Sequence, residues 1–298
     1  MMWIPVTLLA VFSQLFRNMF SKMLSKRMSA ETVSLCRFLY GIPLVLLGYI
    51  VSRHFFGNTE ILSPLFFVCV LLLSVTQMVA NILLVALFHQ KNFAVAVIYT
   101  KTEAIFTALL AFVLLSEFPS LVGWIGIFTT FLGLLLTSFA KENIGYSALK
   151  KSFQHKSSYQ GIASGIFFGI SAAFVKYSFT FLEGNSSITK AVFTLLMALI
   201  VQVFLLLPYV FWKRKMELFE ILQKPKIPML IGTFSGLGSF LWFFAFSMTY
   251  VAYVKTLGQI EFLFGILVSI VFFKEKIYTN EILGMIIMTM GTALLLFA

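Results

Sequence analysis

Apolar stretches close to the length of a membrane-spanning helix recur along the whole sequence, and they constrain the fold more than any other feature. Of the 298 residues, 60% are hydrophobic and 11% are charged, against about 25% charged in an average soluble domain. The hydrocarbon core of a bilayer requires about 20 apolar residues for each spanning helix. We therefore predict an all-α integral membrane protein, and we expect it in a bacterial inner (plasma) membrane.

The apolar stretches predict ten transmembrane helices joined by mostly short loops. Only the loops 140–159 and 212–227 are longer, and both are rich in lysine and polar residues. The N-terminal segment lacks the basic region and small-residue cleavage site of a signal peptide, so it is predicted to be a retained first span. The expected helices are 3–22, 33–52, 64–88, 93–115, 120–139, 160–181, 188–211, 228–247, 250–272 and 279–297.

Basic residues divide unequally between the two sides of the membrane. Sixteen of the 22, Arg37 among them, are counted with the loops after helices 1, 3, 5, 7 and 9. The opposite side has Arg53 and Lys190, together with Lys255 if that side chain snorkels out. Positively charged loops stay in the cytoplasm, so this count predicts that both termini lie outside. The same loops explain the net charge of +11, and no nucleic acid partner is expected.

The sequence offers no pattern typical of an enzyme or a metal site. Cys36 and Cys69 lie in apolar segments, and the three histidines have no ligand spacing. We find no paired nucleophile and base and no phosphate-binding loop for ATP. We therefore expect neither enzymatic activity, nor a metal, nor a cofactor.

An internal repeat relates residues 77–139 to residues 235–297 at a constant offset of 158. The offset aligns glutamates and glycines, which coincide by chance less often than leucine or phenylalanine. It predicts two five-helix units, 1–140 and 160–298, joined by a basic linker at 141–159. An odd number of helices makes the second unit enter the membrane inverted, an architecture of secondary transporters with a central cavity. The aligned pairs are Glu103 with Glu261, Glu117 with Glu275, Gly126 with Gly284, and Gly133 with Gly291.

Glu103 and Glu261 are the strongest candidates for a central site. Each lies near the middle of a predicted span, where a charge costs roughly 2.5 kcal/mol or more. The functional interpretation is that they bind substrate or carry a coupling proton. The alternative is a helix–helix hydrogen bond between the two units. Glu117 and Glu275, at the ends of their helices, are expected to be solvated or interfacial.

Further polar and aromatic residues within the spans are candidates for substrate contact. Gln77 and Asn81 share a face of helix 3, and Gln259 occupies the repeat position of Lys101. Each of them can also bond a neighbouring helix, since such bonds are common in membranes. Arg17 and Lys176 either guard the approaches to the centre or neutralise a mid-span glutamate. The full set adds Asn18, Tyr99, Trp242 and Tyr253.

Regularly spaced glycines are expected to allow close helix packing. They are seven residues apart in Gly126 and Gly133, and again in Gly284 and Gly291. The segment "GTFSGLGS" at 232–239 is dense in small residues, which could let its helix bend.

The chain resembles EamA-type members of the drug/metabolite transporter superfamily. The resemblance rests on "RFLYGIPLVLLGY", on "TKTEAIFTALLAFVLLSE" with "GWIGIFTTFLGLLL", and on "LGQIEFLFGILVSIVFFKE" with "LGMIIMTMGTALLLF". It implies ten helices in two inverted halves around a pocket that opens to each side in turn. The family often has proline after the mid-span glutamate, where Ala104 and Phe262 stand here. It also commonly keeps both termini in the cytoplasm, contrary to the charge count.

These observations predict a secondary transporter that exports a small polar or zwitterionic, amino-acid-like metabolite. Acidic and basic groups in one site suit a zwitterion, because each charge finds a partner away from water. Protons are the expected coupling ion, and membrane lipid is the surrounding partner. The alternatives are an anionic substrate such as a phosphorylated sugar, bound by Arg17, Lys101 and Lys176, or a lipid-handling (flippase) component. The sequence leaves the oligomeric state open.

Overall fold

The computed structural model describes residues 2–90, 100, 103–139, 156–184, 186–272, 274 and 279–295. Within them the regular secondary structure is α-helical, apart from one 3-10 segment and two strands of two residues each. The helices of the first half are α1 Trp3–Ser25, α2 Ala30–Leu39, α3 Ile42–Phe56, α4 Leu65–Gln90, α5 Glu103–Leu115 and α6 Leu121–Phe139. Those of the second half are α7 Lys156–Phe179, α8 Ser187–Lys213, α9 Lys215–Gln223, α10 Lys226–Met248, α11 Val251–Leu257, α12 Glu261–Val271 and α13 Thr279–Leu295. The strands are β1 Glu60–Ile61 and β2 Leu182–Glu183.

Several of these helices match the length and composition of membrane spans. Among the described residues, five helical segments are at least 18 residues long and apolar enough to cross a bilayer. Three shorter apolar helices, in α5, α6 and α13, accompany them. The chain is therefore an all-α integral membrane protein, and the number of ten spans stays a prediction. The five segments are Ala30–Phe56, Leu65–His89, Tyr159–Phe179, Ser187–Lys213 and Lys226–Met248.

The second helix begins earlier than the sequence suggested, and it is broken. Its N-cap is Ser29, whose hydroxyl accepts a hydrogen bond from the backbone N–H of Thr32 at 3.4 Å, a common way to satisfy a first-turn donor. It ends at Leu39, and α3 starts at Ile42 with a proline in its first turn. Proline has no N–H to donate to the preceding turn, which accounts for the break.

The position of Arg37 differs from the one used in the count of basic loop residues. It was assigned to the basic loop after the first helix, but it lies on α2 with only 4% of its surface exposed. That assignment is wrong, because α2 begins at Ala30 and Arg37 lies about two helical turns past that start, with its side chain buried in the protein interior.

The ninth predicted helix, 250–272, is also interrupted. A 3-10 segment at Gly258–Ile260 separates α11 from α12, so that α12 begins at Glu261. In the first half the described part of the equivalent helix is α5, from Glu103 to Leu115. The predicted loop 212–227 also contains the short helix α9.

Helix pairing follows the internal repeat. Helix α1 packs along α10, and α4 packs along α7. The offset of 158 relates α1 to α7 and α4 to α10, so these two contacts are equivalent under exchange of the halves. Helix α6 packs against its own counterpart α13 in the same way.

Glycines bring α6 and α13 together. A Cβ at Gly133 would lie 2.6 Å from the carbonyl oxygen of Gly284, and one at Gly291 would lie 2.8 Å from that of Gly126. Atoms do not approach so closely without a shift, so the predicted role of these glycines in close packing is confirmed. The glycines of 232–239 have a similar role, because Gly232 faces Tyr40 and Gly238 faces Ser13.

Short contacts mark the two ends of the span Ala30–Phe56. At its end, β1 pairs antiparallel with β2, and the Leu62 N–H donates to the Phe181 carbonyl at 2.9 Å. At its beginning, Glu217 of α9 accepts hydrogen bonds from Ser29. Segments of the first and second halves of the chain therefore meet at both ends of this span.

Candidate functional site

A polar cavity lies in the interior where helices of both halves meet. It has a volume of about 40 Å³, which accommodates a few water molecules but not a metabolite. Three of its charged lining residues are cations and one is an anion. The charged residues are Arg17, Arg37, Glu103 and Lys255, and polar neighbours include Gln14, Gln77, Ser171 and Ser239.

Glu103 and Lys255 form a buried ion pair at this cavity. The Lys255 Nζ lies 3.0 Å from Glu103 Oε2, and the two residues are 5% and 7% exposed. The same ammonium lies 4.8 Å from the ring centroid of Trp242 and 5.7 Å from that of Phe246. Aromatic faces attract cations at such distances. The alternative that Lys255 snorkels to the membrane surface is therefore wrong.

Glu261 lies just behind the cavity wall and is held by amides of α1. Gln14 Nε2 donates to Glu261 Oε2 at 2.6 Å, and Asn18 Nδ2 donates to Oε1 at 2.9 Å. Arg17 donates through Nε and Nη2 to Asn18 Oδ1 at 3.2 and 2.8 Å. Trp242 Nε1 completes the network by donating to Gln14 Oε1 at 3.0 Å. A continuous set of hydrogen bonds thus links α10, α1 and the start of α12.

Arg37 brings a second guanidinium to the cavity, and its partners are neutral. Its Nη1 donates to Asn81 Oδ1 at 2.8 Å, and its Nη2 lies 3.4 Å from Ser239 Oγ. Asn81 in turn donates to the Ser34 hydroxyl at 2.8 Å. In the described part of the chain Arg37 Nε has no hydrogen-bond partner. A buried cation without a neighbouring acid is costly, so this group is suited to receive an anion.

Gln77 reaches the cavity from α4 and is positioned by α8. Gln202 Nε2 donates to Gln77 Oε1 at 2.8 Å. Gln202 and Arg37 are not among the site residues predicted from the sequence. The available signal was the same for both, a strongly polar residue inside a long apolar run.

Lys176 lies in a second cluster, apart from the cavity lining. Its ammonium forms an ion pair with Glu117 and donates to the Thr249 carbonyl at 2.7 Å. Glu117 also accepts from the Val251 N–H at 3.0 Å. Glu117 is only 5% exposed, so the expectation that it is solvated or interfacial is wrong.

The remaining candidates from the sequence are distributed as follows. Trp242 lines the cavity. Tyr253 is buried against Gly123, and its hydroxyl accepts from the Ser120 N–H at 3.1 Å. Gln259 is buried in the 3-10 segment next to Glu261. Tyr99, like Lys101 and Glu275, lies outside the described residues.

The described residues include no group of three or more histidine, cysteine, aspartate or glutamate side chains placed to hold a metal ion. The polar centre of the molecule is instead built from guanidinium, ammonium, carboxylate and amide groups. Such groups can bind a small charged or zwitterionic solute through direct hydrogen bonds.

Comparisons with known proteins agree with this architecture. No protein of curated function matches the chain significantly. Twenty-one chains of solved structures match it. One of them, described only as a crystal structure of a protein, aligns over 99% of both chains with a TM-score of 0.64 and 11% sequence identity. Likeness at that identity shows the fold alone.

The sequence model of the EamA-like transporter family matches residues 1–139 and 156–297. The match covers nearly the whole chain in two segments, one in each half of the internal repeat. The chain therefore belongs to the EamA-like transporter family and is a membrane transporter of the drug/metabolite transporter superfamily.

Proposed function

We propose that this protein is a secondary transporter that exports a small amino-acid-like metabolite across a bacterial inner membrane by alternating access. The observation that carries the substrate class is Arg37, a buried guanidinium whose partners are Asn81 and Ser239. Among the site residues proposed from the sequence, Glu103, Arg17 and Trp242 line the same cavity, and Glu261 lies behind its wall.

Arg37 and Arg17 form the carboxylate half of the proposed site. Guanidinium groups present planar pairs of N–H donors that match a carboxylate. Arg37 retains a buried Nε donor without a partner in the described residues. Because an unpaired buried donor is costly, a substrate carboxylate that accepts from it gains that energy on binding.

Glu103 and the aromatic residues form the ammonium half. Glu103 is held by Lys255, and the Lys255 ammonium already contacts the faces of Trp242 and Phe246. A substrate ammonium would take the place of the Lys255 ammonium beside Glu103 or Trp242. Binding would then release Lys255 and give the substrate a direct effect on the contact between α5 and α11.

Alternating access follows from two inverted five-helix units, 1–140 and 160–298, joined by 141–159, with ten spans in total. The pairing of β1 with β2 supports the inversion, because the second loop of one unit meets the first loop of the other at one end. The cavity of about 40 Å³ corresponds to a closed state in this scheme. The halves must separate on one side before a metabolite can enter.

Protons are the proposed coupling ion. Glu103 and Glu261 are the acidic groups next to the cavity, and both are buried. Protonation of Glu103 would break its ion pair with Lys255, and protonation of Glu261 would change the hydrogen bonds from Gln14 and Asn18. Either event would link the protonation state to the contacts between the halves.

A second candidate is transport of an anionic metabolite such as a phosphorylated sugar. One observation favours it: three cations, Arg17, Arg37 and Lys255, line the cavity against a single lining carboxylate. A phosphate would then occupy the place that the first proposal gives to the carboxylate.

Uptake by the purified protein in liposomes tests both candidates. A panel of amino acids and sugar phosphates is offered with and without a pH gradient. We expect saturable transport of amino-acid-like compounds by the wild type and its loss in Arg37→Gln, because the carboxylate loses its partner. Arg53→Gln is the matched control, since Arg53 is exposed at the end of α3. Transport of sugar phosphates alone favours the second candidate, and normal transport by Arg37→Gln contradicts the proposed carboxylate site.

A further inference from the structure

A crevice opens on the side of the molecule that has most of the basic loop residues, between the end of α1 and the connection from α9 to α10. Its volume is about 690 Å³, large enough for a lipid headgroup with part of its glycerol backbone. Its walls come from two segments that are almost 200 residues apart in sequence, around 23–28 and 220–228. We refer to it as the basic crevice.

Four cations converge on the basic crevice. Lys26 and Arg27 line it from the end of α1, and Lys224 and Lys226 line it from the opposite wall. Glu220 is the one acidic residue among the lining side chains. The excess of basic residues on the cytoplasmic side depends on how many lysines and arginines the loops contain, and it does not require them to lie close together. Convergence of four of them on one crevice provides a local site for an anion.

Apolar side chains surround the same cations. Met23, Met28 and Ile227 belong to the lining of the basic crevice. On the adjoining helix α9, Met216, Phe219 and Leu222 are three residues apart and exposed, Met216 by 82%. Trp212, at the end of α8, is 81% exposed. A short helix with apolar residues on one face, next to an exposed tryptophan, is typical of the membrane–water interface.

We propose that the basic crevice binds the phosphate headgroup of an anionic phospholipid in the cytoplasmic leaflet. The four cations would neutralise the headgroup, and the acyl chains would lie against Met23 and the bilayer-facing surface below it. A lipid is favoured over a free phosphate because charged and apolar surfaces adjoin at the interface. Basic pockets between spans on the cytoplasmic side have this combination of properties.

Binding of fluorescently labelled phosphatidylglycerol to the full-length protein in neutral detergent tests the proposal. We expect saturable binding by the wild type and much weaker binding of labelled phosphatidylcholine. Lys224→Gln with Lys226→Gln should weaken phosphatidylglycerol binding about 30-fold, since each charge near a membrane surface contributes roughly a factor of five. Both side chains are exposed, so the double variant is expected to unfold at the wild-type temperature.

Lys213→Gln with Lys215→Gln is the matched control, because both residues are exposed basic neighbours outside the crevice lining. The proposal requires that this pair retain wild-type affinity. Equal weakening in both double variants would overturn it, since the effect would then come from net charge. Equal binding of phosphatidylcholine, or full displacement of phosphatidylglycerol by millimolar inorganic phosphate, would also overturn it. If Lys224→Gln with Lys226→Gln unfolds early, Arg27→Gln replaces it and should weaken binding about fivefold.

Discussion

The Lys255 ammonium lies 3.0 Å from the Glu103 carboxylate, and this ion pair joins residues 152 positions apart in the sequence. Glu103 belongs to α5 in the first half of the chain, and Lys255 belongs to α11 in the second. Both side chains are removed from water, so their mutual attraction offsets a large desolvation cost. The pair therefore fixes the contact between the halves at the cavity wall.

Replacing Glu103 alone should cost stability as well as transport. Glu103→Gln leaves the Lys255 ammonium buried without its acid, which typically costs roughly 3–5 kcal/mol. We expect a lower unfolding temperature in detergent and loss of transport in liposomes. Membrane insertion should persist, because the apolar spans are unchanged.

The double variant Glu103→Gln with Lys255→Gln distinguishes a structural pair from a functional one. Removing both charges should restore much of the unfolding temperature, since no uncompensated charge remains. Transport should stay absent if Glu103 meets the substrate or a proton. A double variant that transports at the wild-type rate would make the pair purely structural.

The sequence predicted the membrane class, the repeat and the two mid-span glutamates, because long apolar runs and rare charged residues can be recognised from the order of residues alone. It did not predict the partner of Glu103, since that depends on how α5 packs against α11. Arg37 was misplaced for a similar reason. The start of α2 is set by the Ser29 cap, and Ser29 also bonds to Glu217, 188 residues away. Contacts between segments that are distant in the sequence cannot be predicted from the local composition of either segment.

Glu261→Gln should separate transport from the pH gradient. The amide keeps the shape of the carboxylate and can still accept from Asn18, but it loses the hydrogen bond from Gln14 and cannot exchange a proton. We expect accumulation driven by a pH gradient to disappear while exchange of labelled for unlabelled substrate persists. The exposed residue Glu60, changed to Gln, is the control and should leave both assays unaffected. Unchanged pH dependence in Glu261→Gln would remove this residue from the coupling mechanism.

The ion pair between Lys176 and Glu117 should hold one side of the transporter closed. It joins α7 to the chain after α5, and Glu117 also holds the Val251 N–H. A hydrogen bond to a charged group contributes about 1.5–3 kcal/mol, so Glu117→Gln should favour opening by roughly tenfold or more.

This opening can be measured as the accessibility of the cavity to a thiol reagent added from the water. A cysteine at the lining position Ser171 is labelled with a membrane-impermeant thiol reagent. The native Cys36 and Cys69 are buried and should react slowly. We expect faster labelling at 171 when Glu117→Gln is added and no change when Glu60→Gln is added. Equal labelling rates in all three proteins would show that the ion pair does not close this side.

Gly258→Ala should destabilise the protein although alanine normally favours a helix. The added methyl group would overlap the ring of Trp242, which lines the cavity and bonds Gln14. Overpacking of this kind costs about 1–3 kcal/mol, and the displaced Trp242 should also reduce transport. Gly48→Ala is the matched control, because its nearest neighbour is Val192 Cγ1 at 3.9 Å. A Gly258→Ala protein with wild-type transport and stability would contradict the packing described for Trp242.

Glu217 should make the contact between α9 and α2 dependent on pH. Partial burial acts to raise the pKa of Glu217, but hydrogen bonds from Ser29 and Thr32 and the nearby Arg214 charge outweigh it, so the pKa lies below its ordinary value of 4.5. The Ser29 hydroxyl and N–H donate to one carboxylate oxygen at 2.6 and 2.9 Å. A carboxylate with a depressed pKa contributes stability above its unfolded pKa and loses it as the pH falls through the folded one.

Glu217→Gln should therefore unfold at a lower temperature than the wild type at neutral pH. The difference should shrink below pH 4.5 and vanish once the wild-type carboxylate is protonated, because both proteins then present a neutral group to Ser29. Thermal unfolding in detergent across this range measures it, with Glu220→Gln on the same helix as the charge-matched control. If the difference in unfolding temperature between Glu217→Gln and the wild type widened towards acid pH, the prediction would be contradicted. Protonation of Glu217 would then strengthen the contact rather than weaken it.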